Sequence, residues 1–335
     1  MNNSLIETIK NNTYENDILD LSYSKINNEE IKILCEALKN NNTITSLNLG
    51  YNKINDKGVK YLREALKNNE FITDINLRFI NIKEEGIKYL SEALKDNNSI
   101  TYLNLSLNNI NTKGIQYLSE GLKMNKNIIN LNLSENNIEE KEITLLSNVL
   151  KNNKSITYLD LSHNKIGDGI KALSEALKYN EYITDLNLSS NYVGDCYISE
   201  NGIKALSNVL KLNSSIIKLD LTYNNFGNKE LKVLSEALKN NSVLNDLNLG
   251  FNIFDAIGLK YLSDALKINK SINNLKLDYY YKINYQVIQP LIEALKNNNS
   301  ITTLGVNIYK IRRKNILNEA LNEILKTNTT LTSLF

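Results

Sequence analysis

Residues 100–127 read ITYLNLSLNNINTKGIQYLSEGLKMNKN. Leu103 and Leu105 alternate with Tyr102, Asn104 and Ser106, and this period of two predicts a short strand with one buried face. Ile100 and Ile110 bracket the strand and point inward. Thr112 offers a side-chain oxygen to open a helix, as Asp56 and Asn28 do at matching positions. Ile115, Leu118 and Leu122 follow at helical spacing and make one apolar stripe. Most sister segments close on Ala-Leu-Lys-x-Asn, with the asparagine suited to a left-handed turn out of the helix. The unit is strand, loop, helix, loop.

The unit recurs along the whole chain. Its leucine pairs are Leu19/Leu21, Leu47/Leu49, Ile75/Leu77, Leu103/Leu105, Leu131/Leu133 and Leu159/Leu161. They continue as Leu186/Leu188, Leu219/Leu221, Leu247/Leu249, Leu275/Leu277 and Leu304/Val306, with a stub at Leu334. The first members are spaced by 28 residues five times, then by 27, 33, 28, 28, 29 and 30. A fixed period of this size means one supersecondary unit stacked on itself. The 335 residues are therefore expected to form a single domain, 1–335, of about eleven repeats and a partial final strand. Every connection returns through a helix, so the strands must be parallel. Parallel strands sit about 4.8 Å apart, whereas helices need about 8–10 Å. The expected fold is an α/β horseshoe solenoid, with a parallel β-sheet on the concave face and α-helices on the convex face.

Just past the strands stands an asparagine column: Asn52, Asn108, Asn136, Asn164, Asn191, Asn224 and Asn252. A polar amide in an apolar stack must be hydrogen-bonded, and it can bridge backbone groups of its own and the next repeat. The column breaks at Ser24, Ile80, Tyr280 and Tyr309, where looser turns are expected. With the helix motif Gly86-Ile87 through Ala93-Leu94, these residues resemble leucine-rich repeats of the ribonuclease-inhibitor type. The resemblance covers nearly the whole chain and implies the horseshoe fold and protein–protein binding. It does not imply one partner, because that family includes inhibitors, ligand sensors, actin-filament cappers and a GTPase activator.

Composition narrows the classes. No apolar run approaches a membrane helix of about 18 residues, and Met1 to Lys10 carries no apolar signal region. Cys35 and Cys196 lie far apart, which fits a reducing compartment. The acceptor triplets Asn104-Leu105-Ser106, Asn132-Leu133-Ser134 and Asn187-Leu188-Ser189 fall on the repeating strand, where a sugar would cover the sheet. A cytoplasmic location is expected. His163 has no second histidine or cysteine in its repeat, and Gly167-Asp168-Gly169 lacks a following Lys-Ser/Thr. No catalytic residue, cofactor or metal is expected. Cys35 aligns with Ser91 and Ser119, as a partly exposed thiol.

The outward positions of the strands carry Asp20, Asp74, Asp160, Asp185, Asp220, Asp246 and Asp278 against Arg78, Lys218 and Lys276, a lining of net −4 in a chain of net +2. That lining disfavours nucleic acid. At the rim stand Tyr23, Tyr51, Phe79, His163, Tyr223, Phe251 and Tyr279, with Tyr102 and Tyr158 on the strands. These rings either pack along the ladder or anchor a partner. The expected partner-binding residues are Tyr51, Arg78, Phe79, Tyr102, Tyr158, Tyr223 and Phe251. Arg78 is flanked by Gly50 and Ser106 with no carboxylate opposite, so its guanidinium is expected to be free for a partner's carboxylate or to lie over Tyr102. Tyr61, Tyr89, Tyr117 and Tyr261 recur on the helices as helix-to-helix packing.

Two punctuation marks remain. Gly194 to Asn201 lengthens one loop, either as a tolerated insertion or as a finger presenting Tyr197 and Ile198. Pro290 is expected to delay its helix to near Gln289. The expected activity is that of a monomeric, non-enzymatic module that binds a protein in its concave face, without nucleic acid or membrane. The alternative is a GTPase activator resembling the Ran activator. Such an activity needs an arginine or asparagine presented to a nucleotide. The chain has four arginines, Arg63 on a helix, Arg78 on a strand and Arg312 and Arg313 in the last repeat; the activator's arginine loop and acidic tail are absent, and Arg78 does not sit in an equivalent motif.

Overall fold

The computed structural model describes residues 3–192, 198–278, 285–306, 324, 326 and 328–334. Gly194 to Tyr197, Tyr279, Tyr280, Tyr309, Arg312 and Arg313 lie outside these. The chain forms two compact units, 1–164 and 165–335.

The first unit runs α1 (Asn3–Lys10), β1 (Ile18–Asp20), α2 (Asn28–Leu38), β2 (Ser46–Asn48), α3 (Asp56–Leu66) and β3 (Asp74–Asn76). It continues with α4 (Glu84–Asp96), β4 (Tyr102–Asn104), α5 (Thr112–Met124), β5 (Asn130–Asn132), α6 (Glu140–Leu150) and β6 (Tyr158–Asp160). The six strands pair in parallel in chain order, and the leucines lie side by side: Leu19, Leu47, Ile75, Leu103, Leu131 and Leu159. All six are buried, as are the helix stripes such as Ile115, Leu118 and Leu122. The period of two on the strands and the helical stripe thus face one core.

The second unit runs from a 3-10 turn (Gly167–Gly169) through α7 (Ile170–Leu177), β7 (Asp185–Asn187), α8 (Glu200–Leu210), β8 (Lys218–Asp220), α9 (Asn228–Leu238) and β9 (Asp246–Asn248). It ends with α10 (Ala256–Leu266), β10 (Asn274–Lys276), α11 (Tyr285–Lys296), β11 (Thr303–Gly305) and β12 (Ser333–Leu334). Its strands are parallel in the same order, again leucine against leucine.

The asparagine column is the polar spine of each stack. Asn136 Nδ2 donates to the carbonyls of Leu133 at 3.1 Å and Leu105 at 2.9 Å, while its Oδ1 accepts from the Asn108 N–H at 3.0 Å. The bridge therefore runs to the preceding repeat rather than the next, because the side chain folds back over the strand it has just left. A second asparagine column closes the helices. Asn97 Nδ2 donates to Leu66 O at 2.8 Å, and its Oδ1 accepts from the N–H groups of Ser99 and Ile100. Its φ is −80°, so the left-handed reading of this asparagine is corrected: the amide makes the turn.

Four further expectations shift. The helix caps sit one residue early: Asn111 accepts from Gly114 N and Asn55 from Lys57 N. The next residues reach across repeats instead, Asp56 Oδ1 accepting from Lys83 N at 2.6 Å, Asn28 Oδ1 from Asn55 N at 3.3 Å, and Thr112 donating to Glu142. Ile198 is not a contact residue on a finger, for it is 2% exposed and fills the place that Ile54 and Ile82 fill in other repeats. Pro290 lies inside α11, which already begins at Tyr285. Pro290 is the sixth residue of the helix and removes one internal N–H bond, and burial of Ile288, Leu291, Ile292 and Leu295 holds the helix together.

Cys35 is the fourth. It is 1% exposed, in a column of buried small residues with Ser91, Ser119 and Ser147 where neighbouring helices meet. Burial pushes its thiol pKa up. A raised folded pKa favours the neutral form, so this contribution is full below the unfolded thiol pKa of about 8.5 and is lost as pH rises above it. In a Cys196→Ser background, Cys35 will resist iodoacetamide in the native chain and react fully in urea. Equal rates in both states would show the thiol to be open.

Candidate functional site

The outer face of each strand ends in a turn that the sequence builds in two steps. First, the residue between the leucines caps the backbone two residues on: Asn76 Oδ1 accepts from Arg78 N at 3.0 Å, and Asp160 Oδ1 from Ser162 N at 2.9 Å. The outward asparagines and several of the acids are thus partly structural. Second, the rim residue takes a left-handed backbone, with φ of 58° at Tyr51, 52° at Phe79, 55° at Tyr223 and 54° at Phe251. For a residue with a Cβ this costs about 1–2 kcal/mol. A hydrogen bond to the next repeat offsets it, Tyr51 N to Arg78 O at 2.9 Å and Phe79 N to Ser106 O at 3.1 Å.

Repetition of that turn sets the rings in line. In the first unit Tyr23 and Tyr51 stack with centroids 4.3 Å apart and planes 10° from parallel, and Phe79 leans on Tyr51 at 5.4 Å. In the second unit Tyr223 and Phe251 stack at 4.4 Å. The rings pack along the ladder and still face solvent, Tyr23 being 68% and Phe79 53% exposed. Packing and availability to a partner coexist here.

Arg78 is not free. Its Nε donates to the Tyr51 hydroxyl at 2.7 Å, one terminal nitrogen to Ser106 Oγ at 2.9 Å and the other to Glu135 Oε1 at 2.6 Å. It lies over the Tyr51 ring, 5.8 Å from the centroid, and not over Tyr102. Burial opposes its charge, and the bonds to Tyr51 and Glu135 outweigh that and raise its pKa. The neighbouring repeats hold no carboxylate opposite it, yet the side chain is long enough to pass Ser106 and meet Glu135 two repeats on. The guanidinium is thereby pre-oriented at the edge of the aromatic stack. Glu135 is a member of the site that the column reading missed.

Tyr102 and Tyr158 stand apart from this cluster. They occupy the starts of β4 and β6, with Asn130 of β5 between them. Burial is the main cause of the raised pKa of Tyr102, and the Tyr158 hydroxyl lies 3.4 Å from Asp160 Oδ2. In the second unit a cleft of about 280 Å³ opens beside Tyr223 and Phe251, lined also by Ser190, Tyr192, Asn225, Asn252 and Ile253. Tyr192 and Ile253 had a signal in the sequence, since the matching positions elsewhere are Lys or Asn, as at Lys25, Lys53, Asn81 and Asn109. Lys218 pairs with Asp185 at 2.9 Å, and Asp246 accepts from Asn274, so part of the acidic lining is engaged within the face. Among the described residues no group of His, Cys, Asp and Glu could hold a metal ion, and no helix is long and apolar enough to cross a membrane.

A family model described as Leucine Rich repeat matches residues 40–62, 96–119 and 152–174. Among solved structures, the leucine-rich repeat-containing protein LegL7 from Legionella pneumophila is similar at 18% identity, covering 90% of this chain and 85% of that one with a TM-score of 0.54. Leiomodin-1 actin-binding site 2 matches at 24% identity over 44% of this chain and 85% of its own, TM-score 0.38. A chain of the yeast Rad7–Elc1 complex matches at 16% identity over 99% and 86%, TM-score 0.48. A search of curated proteins finds no match. The fold is that of a leucine-rich repeat solenoid, and the family model matches three of its repeats.

Proposed function

We propose that the chain is a non-enzymatic protein-interaction module of the ribonuclease-inhibitor type, one domain that holds a partner protein on its strand face, the concave side. The supporting observation is the stack Tyr23–Tyr51–Phe79 with Arg78 clamped beside it. Exposed rings held rigid by a left-handed turn, next to an oriented guanidinium, lose little freedom on binding and match the residue types that anchor interfaces. Arg78→Ala and Phe79→Ala are each expected to weaken capture of a partner, isolated by affinity pull-down and identified by mass spectrometry, by at least about 1–2 kcal/mol. Thermal stability will change little, since neither side chain enters the core. Retained affinity in both variants, with loss at Tyr223→Ala and Phe251→Ala, would move the site to the second unit. The GTPase-activator reading gains no support: Arg63 is held by Glu64 and Glu92 and Arg78 by Glu135.

A further inference from the structure

The helix-end edge of the first unit carries a basic cleft that the strand-face reading leaves unused. It lies between the C-terminal ends of α5 and α6, has a volume of about 600 Å³, and is lined by Lys123, Lys126, Lys154, Asn148 and Asn152 among others. Lys123, Lys126 and Lys154 are exposed, as is Lys151 beside them. No Asp or Glu occurs in residues 121–134 or 143–159.

At five other helix ends the lysine pairs with an acid three residues back: Lys39 with Glu36, Lys178 with Glu175, Lys239 with Glu236, Lys267 with Asp264 and Lys296 with Glu293, at 2.6–3.0 Å. Behind Lys123 that position is Glu120, which Lys95 engages at 3.9 Å. Past the helices, Lys126 and Lys154 occupy the same place in adjacent repeats, setting like charge beside like charge. Two ammonium groups lining one cleft attract an anion to it.

We propose that this cleft docks an acidic segment of a partner protein; the proposal rests on the protein-interaction reading and adds a second contact to it. Three observations favour spaced carboxylates over a phosphate or a lipid surface. The carbonyl ends of α5 and α6 face this edge and oppose a compact dianion near the backbone, while lysine stems carry their charge outward to a chain running across them. A cleft admits a peptide and not a flat bilayer. Met124, 60% exposed at the same edge, offers apolar contact beside the charges. The net charge of +2 gives little long-range pull on nucleic acid.

The test titrates the intact chain with a fluorescein-labelled peptide of glutamates around one phenylalanine, read by anisotropy. The double variant Lys126→Gln/Lys154→Gln is expected to bind at least about tenfold more weakly, and added salt to weaken the wild type. Arg78→Ala is expected to leave this binding unchanged, which separates the cleft from the aromatic site. A melting curve verifies that the double variant folds. Equal peptide binding by wild type and double variant overturns the proposal. So does sedimentation with phosphatidylserine vesicles that depends on these lysines while the peptide fails to bind. Either result leaves partner capture through Phe79 standing on its own test.

Discussion

Asn136→Leu is expected to lower the stability of the chain by about 2–4 kcal/mol. Asn136 is fully buried, and its amide joins its own repeat to the preceding one. Leucine fills a similar volume but can neither donate to Leu105 O nor accept from the N–H groups of Asn108 and Ile110, now held at 2.9, 3.0 and 3.4 Å. Each orphaned buried group costs about 1–3 kcal/mol, and the contributions of one network fall short of their sum. The cost should appear as a lower urea midpoint at unchanged slope. Gln116→Leu, on the exposed side of α5, provides the control and should stay within about 0.5 kcal/mol. An unshifted midpoint in Asn136→Leu would remove the amide from any bridging role.

That column was legible because a buried polar residue repeated in register leaves one physical explanation. The period did the same for strands, helices and their order. Finer features were hidden where the sequence offers equivalent choices or where the period misleads. Asn111 and Thr112 can both cap a helix, and adjacency alone does not tell which one does. The helix-end asparagine of Ala-Leu-Lys-x-Asn tolerates a left-handed backbone, but the chain spends that conformation at the rim, on tyrosine and phenylalanine. There a hydrogen bond to the next repeat compensates residues with no intrinsic preference for it. Glu135 escaped because a comparison of adjacent repeats cannot find a partner 57 residues from Arg78. Side-chain reach, rather than register, decides that contact.

The Gly-Ile at the start of several helices was legible as a motif but not as a requirement, and the structure turns it into a graded prediction. Gly86→Ala is expected to destabilise the chain by about 1–3 kcal/mol, the range of an overpacked site. A Cβ at Gly86 would lie 2.5 Å from Asp56 Oδ1, 2.6 Å from Ile82 Cγ1 and 3.1 Å from the Asp56 Cα. The carboxylate cannot swing aside cheaply, because it accepts from Lys83 N, and the Asp56 backbone is the first residue of α3. Against this works the better helix propensity of alanine, worth about 1 kcal/mol. Gly114 separates the two effects. There the near atom is Ile110 Cγ2 at 2.5 Å, the counterpart of the Ile82 contact at Gly86, and the next is Asn111 Oδ1 at 3.6 Å. The residue ahead of it in the preceding helix is Glu84, which does not crowd the site. Gly114→Ala should therefore cost less than Gly86→Ala when the two are compared by urea unfolding. If the two variants unfold at the same midpoint, the cross-repeat contact of Asp56 is not what keeps this position glycine.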